Sequence, residues 1–267
     1  MPAPTGVSEA SPYFVQLSGV VRHSFAVLLR RPSSSQRTEA AARVWRHAVL
    51  LLVLGAVVVA GLMVFVDAWE ISQMPPRGTA SLWPARDLTD FGKDSYVIDA
   101  LGLALLIVAL IFPLSRENFR LRLPGLGTRI GYLLLAVAVP LLVGEIIKWV
   151  VGRGRPFVGG KAAGVFNFVP FNGTEAHFSF PSAHSITAFA LAFAVSALWP
   201  RARVLIFFYA AVILCTRLVL LAHHPSDVVA GALIGVVGAL AVRYWFAVRQ
   251  LGFDILDNGE IVPLSRH

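Results

Sequence analysis

The sequence predicts an all-α, polytopic membrane protein: a bundle of six transmembrane helices preceded by an amphipathic N-terminal segment. Three observations predict it. Of 267 residues, 57% are hydrophobic and only 14% charged, whereas a soluble domain carries about a quarter charged residues. Six apolar stretches, 48–66, 96–114, 130–151, 182–199, 204–222 and 228–248, are long enough, or nearly so, to cross a hydrocarbon core of roughly 30 Å. Arginine, finally, is spread unevenly among the segments that join them. The chain accordingly divides into an N-terminal segment 1–46, a membrane domain 47–248 and a tail 249–267.

The N-terminal segment carries Arg22, Arg30, Arg31, Arg37, Arg43 and Arg46, and places Phe14, Leu17, Val21, Phe25 and Leu28 at helical spacing. The basic residues largely avoid that stripe, which suits a helix lying in the membrane interface. A helix docked on the bundle reads almost as well. No cleavable signal peptide is expected, since the first residues are polar and the first long apolar run begins late. "SRENFRLRLPGLGTR" joins spans two and three with Arg116, Arg120, Arg122 and Arg129, and "PRAR" joins spans four and five with Arg201 and Arg203. The positive-inside bias puts these loops and both termini in the cytoplasm and the mixed-charge loop 67–95 outside. The net charge of +8 is therefore read as topology, and no nucleic-acid partner is expected.

That topology exposes an anomaly. The loop after span three opens "KWVVGRGRPFVGGK", so Lys148, Arg153, Arg155 and Lys161 are translocated against the bias. An anionic ligand is the simplest explanation. Span four is the shortest, its lower limit set by motif rather than hydropathy. Cys215 lies within span five, where it is expected as a small buried apolar residue without a disulfide partner. In the last span, Gly231 and Gly235 form a Gly-x-x-x-Gly pattern that reads as close helix packing. In the tail, Asn258-Gly259 between short apolar runs signals a two-residue hairpin, a small cytosolic ornament.

Three outward-facing boundaries carry the chemistry. The first holds Lys148 and, after six residues, Arg155-Pro156. The second is "FPSAHS", with Ser182 and His184 at the mouth of span four. The third is "TRLVLLAHHPSD", with Arg217, His223 and Asp227. Charged groups inside a span are costly and usually face the bundle interior or a wet cavity. For Arg217 the competing reading is snorkelling to the interface, and for Lys148 it is a pair with Glu145 on the same helix. Ser182 is a candidate N-cap, and the helix it opens presents amide donors that suit an anion. His184 there can donate a proton to whatever leaves the anion. His223 and Asp227 bracket a turn, so a carboxylate can fix one imidazole tautomer and free the other nitrogen for attack. Asp227 can equally cap span six, and His224 is taken as a bystander. Two histidines, three cations, a hydroxyl and a helix N-terminus suit phosphoryl transfer, where positioning and charge stabilisation dominate. Outward carboxylates do not cluster as a two-metal site would need, so neither metal nor other cofactor is expected.

Lys148-x6-Arg155-Pro156, then Pro181-Ser182-Ala183-His184, then Thr216-Arg217-x5-His223-x3-Asp227 resembles the three-part signature of the type 2 phosphatidic acid phosphatase superfamily, over roughly residues 96 to 248. That superfamily includes lipid phosphate phosphatases, bacterial polyprenyl-diphosphate phosphatases and the soluble vanadium haloperoxidases. The resemblance implies that His223 is the nucleophile, oriented by Asp227, and that His184 is the general acid. It assigns the phosphate oxygens to Lys148, Arg155, Arg217, Ser182 and the Ala183 amide. Two positions depart from the pattern: Ala183 stands for the usual glycine and Thr216 for the usual serine. The first keeps the amide donor but adds a methyl group, and the second keeps a hydroxyl.

The function expected is metal-independent hydrolysis of a terminal phosphate or diphosphate on a membrane lipid, at the outer face of a bacterial inner membrane. Polyprenyl diphosphate leads the candidates, with phosphatidylglycerol phosphate, phosphatidate and a lipid A phosphate open. The alternative is a non-catalytic binder or transporter of anionic lipid headgroups, which needs the cations but not His223 with Asp227. Halide oxidation is disfavoured by the six spans.

Overall fold

The computed structural model describes residues 12–31, 37–158 and 165–264. Lys161 lies outside them, as does the side chain of Arg37. The described chain is helical apart from a terminal hairpin. Its helices are α1 (Tyr13–Leu29), α2 (Arg37–Phe65), α3 (Asp67–Gln73), α4 (Trp83–Asp90), α5 (Asp94–Ile111), α6 (Glu117–Arg120), α7 (Leu123–Val151), α8 (Ala183–Leu198), α9 (Arg203–Val219) and α10 (Pro225–Ala247). Among the described residues, five helical stretches are long and apolar enough to cross a membrane: Thr38–Phe65, Ala80–Leu114, Glu117–Val151, Pro200–Val219 and Pro225–Ala247. The expected sixth span, α8, is apolar but only 16 residues long, or about 24 Å at 1.5 Å per residue. It falls short because Pro181 and the loop before it are used for the site rather than for the helix.

α10 is the centre of the bundle. Half of its most apolar window is buried, against 6% for α2, and it packs on α8, α2 and α7. Small residues allow this. A Cβ on Gly231 or Gly235 would stand 2.5 Å from the carbonyl oxygen of Ser182 or Ile186 respectively, so the two backbones of α8 and α10 are in direct contact. α8 adds fully buried alanines on two sides: Ala190 and Ala194 join the main core, and Ala188 and Ala192 pack with Ala210 and Ile213 of α9. Gly144 of α7 makes room for the Ile186 side chain, whose Cδ1 would lie 2.2 Å from a Cβ there. α2 and α5 are exposed along most of their apolar length, as outer helices bathed in lipid tails must be. Cys215 is exposed as well, which corrects the expected burial. It sits on the outward side of α9, where lipid replaces protein as the apolar environment.

On α1, Phe14, Val21 and Phe25 are exposed, while Gln16 is buried against Arg120. The exposed stripe suits a helix in the interface, and Leu28, packed against the main core, docks the same helix on the bundle. A cavity of about 250 Å³ lies beneath α1, lined by apolar residues such as Phe25, Val108, Leu135 and Phe246. No candidate site residue reaches it. The tail hairpin pairs β1 (Phe253–Ile255) with β2 (Ile261–Pro263) in antiparallel register. It turns through three residues rather than two. The Gly259 amide bonds the Leu256 carbonyl, the Leu256 amide bonds the Glu260 carbonyl, and Gly259 has φ +75°, the left-handed residue such loops require. The hairpin is no ornament: Phe253 packs on Tyr132, and Ile255 and Ile261 join the main core.

Candidate active site

Three segments converge beyond the end of α7, opposite the end that carries Arg116, Arg120 and Arg122. The first is the exit of α7. Gly152 ends the helix with φ +58°, and a Cβ there would fall 1.9 Å from the Val169 carbonyl oxygen, so only glycine allows the turn. The chain beyond is pinned by backbone bonds, Gly154 to Asn167, Arg155 to Ala176 and Ser179 to Arg153. The second is the α8 N-terminus. Ser182 caps it weakly through Ser185, at 3.5 Å, and its amide bonds the Asp227 carbonyl oxygen at 3.1 Å. The third is the turn from α9 to α10, where Pro225 at the first helical position and Asp227 in the first turn are ordinary helix-start residues.

Of the three candidate cations, Lys148 and Arg217 are buried and Arg155 is half-buried. Lys148 is buried in the last turn of α7 and touches the Glu145 carboxylate, so the anticipated pair is present. Arg217 is buried on α9 and donates to the Thr89 hydroxyl at 2.9 Å. Its Nε has no protein partner, and neither does Nε of Arg155. Two buried guanidinium edges that lack acceptors suit an anion. Arg217, Lys148 and Arg155 all lie within electrostatic reach of His184, and Arg217 and Arg155 within reach of His223. The structure thus gathers the three segments at one place. Burial lowers Arg155 below its usual value and Glu175 opposes the shift, while Arg77, stacked 4.1 Å over Phe157, adds to it. Thr216, in contrast, spends its hydroxyl on the Ile213 carbonyl oxygen at 2.6 Å, within its own helix.

The histidines divide the work differently from the spacing. His223 is buried, and its Nδ1 lies 2.7 Å from the Ser179 carbonyl oxygen. A carbonyl only accepts, so Nδ1 carries the proton and Nε2 keeps its lone pair. Burial, then Arg217, push His223 well below its ordinary value, which keeps the ring neutral. Asp227 Oδ2 is 4.0 Å from His223 Nδ1 but 2.9 Å from His224 Nδ1 and 2.9 Å from the His224 amide. It caps α10 through His224 and attracts the His223 ring electrostatically, while its hydrogen-bonded route to that ring runs through Ser179, whose hydroxyl donates to it at 2.6 Å. His224 is fully buried and belongs to this network rather than standing by.

The sequence reading passed over two residues. Arg153, treated only as one of the translocated charges, is fully buried. Its Nη1 donates to Asp227 Oδ1 and Ser226 Oγ, each at 2.6 Å, and its Nη2 donates to Asp67 Oδ2 at 2.9 Å. Asp67, at the start of α3, also accepts from the Ser226 amide at 3.0 Å. The low charge density of this sequence was the available signal: an arginine between two glycines, within a tight turn, has little room to reach solvent. Glu70, one turn after Asp67, is buried too, and burial first, then Asp67, raise its carboxyl to about 7.

Residues 129–251 match the family model of the PAP2 superfamily, the type 2 phosphatidic acid phosphatases. Two relatives are lipid A 1-phosphatases. That of Rhizobium johnstonii is 38% identical over 131 residues, 48% of this chain and 52% of the relative. That of Rhizobium etli is 37% identical over 131 residues, 48% of this chain and 55% of the relative. The chain spans about half the length of these curated relatives. No solved structure matches it significantly.

Proposed function

We propose that this chain, a member of the PAP2 superfamily by its domain at residues 129–251, is an integral-membrane lipid phosphatase working through a phosphohistidine on His223. The observation that carries the reading is the His223 ring, fixed by the Ser179 carbonyl at 2.7 Å and within electrostatic reach of Arg155 and Arg217. A binder of anionic headgroups needs the cations but not a buried, neutral imidazole with one committed nitrogen.

The reaction follows from the geometry. The three cations and the α8 amides hold the phosphate oxygens and neutralise the charge that develops in the transition state. His223 Nε2 attacks phosphorus; the P–N bond forms as the P–O bond to the lipid breaks. His184 gives the departing oxygen its proton. The neutral His184 then takes a proton from water, whose oxygen attacks the phosphohistidine, breaks the P–N bond and releases inorganic phosphate. Charge is supplied throughout by side chains, so turnover is expected to survive chelators.

The substrate is a lipid with a terminal phosphate. Lys148 and Arg217 sit in the final turns of apolar helices, at the depth where a headgroup lies while its tails stay in hydrocarbon. Among candidate lipids, a lipid A 1-phosphate now precedes polyprenyl diphosphate, because both relatives bear the former activity in their names. The arginine-rich connections lie at the opposite end of α7, which supports an outer, periplasmic site with both termini in the cytoplasm. The test is His223→Ala in detergent micelles against a panel of lipid phosphates. Loss of turnover with retained lipid binding is expected; a variant with more than about a hundredth of the wild-type kcat excludes a histidine nucleophile.

A further inference from the structure

We propose that Asp67 and Arg153 are positioning residues for catalysis, holding the nucleophile through Ser179 and Asp227. This rests on the phosphatase reading above. Asp67 comes from the junction of α2 and α3, well outside residues 129–251, so the inference extends the working site to a part of the chain that the superfamily match does not cover.

The observation is a closed network with every donor of Arg153 used. Nη1 serves Asp227 and Ser226, Nη2 serves Asp67 and, at 2.7 Å, the Val165 carbonyl, and Nε serves the same carbonyl at 3.2 Å. All five N–H groups of a guanidinium are thereby committed, with nothing left for a substrate phosphate. Arg153 is therefore no substrate cation, although it sits two residues before Arg155. It grips Ser179 twice instead. Its backbone carbonyl accepts from the Ser179 amide at 3.0 Å, and its guanidinium fixes Asp227, which accepts from the Ser179 hydroxyl. The Ser179 carbonyl then sets the His223 ring. The path runs from Asp67 through Arg153, Asp227 and Ser179 to His223, and no member of it is more than 3% exposed.

Charge decides what each member contributes. Two carboxylates share one guanidinium. Without Arg153, Asp67 and Asp227 would face each other across Ser226 with no cation between them, a costly arrangement in a buried site. Without both Asp67 and Arg153, Asp227 would keep its bonds to Ser179 and His224 as a lone anion. Removing the pair is therefore predicted to do less harm than removing the arginine alone, an order that mere loss of packing would not produce.

The experiment compares full-length wild type, Arg153→Gln, Asp67→Asn, the Asp67→Asn/Arg153→Gln double variant and His223→Ala in detergent micelles. It reads kcat and KM for one lipid phosphate, with vanadate affinity and thermal unfolding alongside. Arg153→Gln is expected to lower kcat by about 10- to 100-fold, the usual cost of losing a residue that orients a catalytic group, and to weaken vanadate, which takes the place of the phosphorus that His223 attacks, while KM stays within about threefold. The double variant is expected to recover about three- to tenfold of that kcat and to stay below wild type. Should Arg153→Gln not fold, Asp67→Asn and the double variant carry the same comparison against wild type. Folded Asp67→Asn and Arg153→Gln with wild-type kcat would overturn the proposal, as would a loss confined to KM or a double variant slower than Arg153→Gln. A wild type inactive on every lipid phosphate, or an active His223→Ala, would instead overturn the phosphatase reading.

Discussion

Gly231→Ala tests whether the contact between α8 and α10 sets the catalytic geometry. A Cβ at this position lies 2.5 Å from the Ser182 carbonyl oxygen and 3.0 Å from Ser185 Cβ, where ordinary contact begins at 3.4 Å. The first gap requires α8 to retreat by 3.4 − 2.5 = 0.9 Å. Neither atom is the end of a flexible side chain, so the helix has to move as a body. Ser182 opens α8 and His184 stands in its first turn, whereas His223 and Asp227 are held by α10 and the loop before it. The methyl group therefore separates His184, the proposed proton donor, from His223, the proposed nucleophile. A misplacement of about 1 Å costs on the order of 100-fold in rate, and overpacking costs about 1–3 kcal/mol of stability. KM should change less than kcat, since Lys148, Arg155 and Arg217 sit on other elements and only the contributions of Ser182 and the Ala183 amide move with α8. The assay is initial rates on a lipid phosphate in mixed micelles, with thermal unfolding in the same detergent. Gly61→Ala on α2, where a Cβ meets nothing within 4 Å, is the control and should keep wild-type rates. A folded Gly231→Ala with kcat within about twofold of wild type would refute the reasoning.

Other substitutions separate the remaining roles. His184→Ala should slow turnover severely for a lipid alcohol but much less for an aryl phosphate, whose leaving group needs little protonation; equal losses on both would remove His184 as the general acid. Thr89→Val deletes the hydroxyl that accepts from Arg217 at 2.9 Å and should raise KM about 3- to 10-fold, the worth of one net hydrogen bond. An unchanged KM would mean that Arg217 does not depend on this partner. Glu70 titrates at about 7 in the folded chain, against 4.5 for an ordinary glutamate. The folded state thus binds the proton more tightly, and stability falls as pH rises from about 4.5 to 7 and levels off above. Glu70→Gln should flatten that decline in a series of melting curves, and parallel curves for the two proteins would show that Glu70 does not cause it.

The sequence alone determined the membrane class, most of the spans and the identity of the candidate phosphate-binding groups. It could do so because hydropathy is a local property that the bilayer makes decisive, and because the motif residues follow one another at short, regular separations. Gly231 and Gly235 were legible for the same reason: a four-residue repeat on one helix is visible without knowing the partner helix. Tertiary structure decided which partner each polar group meets. Spacing paired Asp227 with His223 and made His224 a bystander, whereas the N-terminal geometry of α10 brings Asp227 to His224 at 2.9 Å and leaves His223 to the Ser179 carbonyl. Cys215 showed no sign in its apolar neighbours that it faces outward, since lipid and protein core select the same residues. The bond between Arg153 and Asp67 joins positions 86 residues apart. No local pattern encodes it; it exists because burying an arginine leaves five donors to satisfy, and only the folded bundle brings α3 close enough to satisfy them.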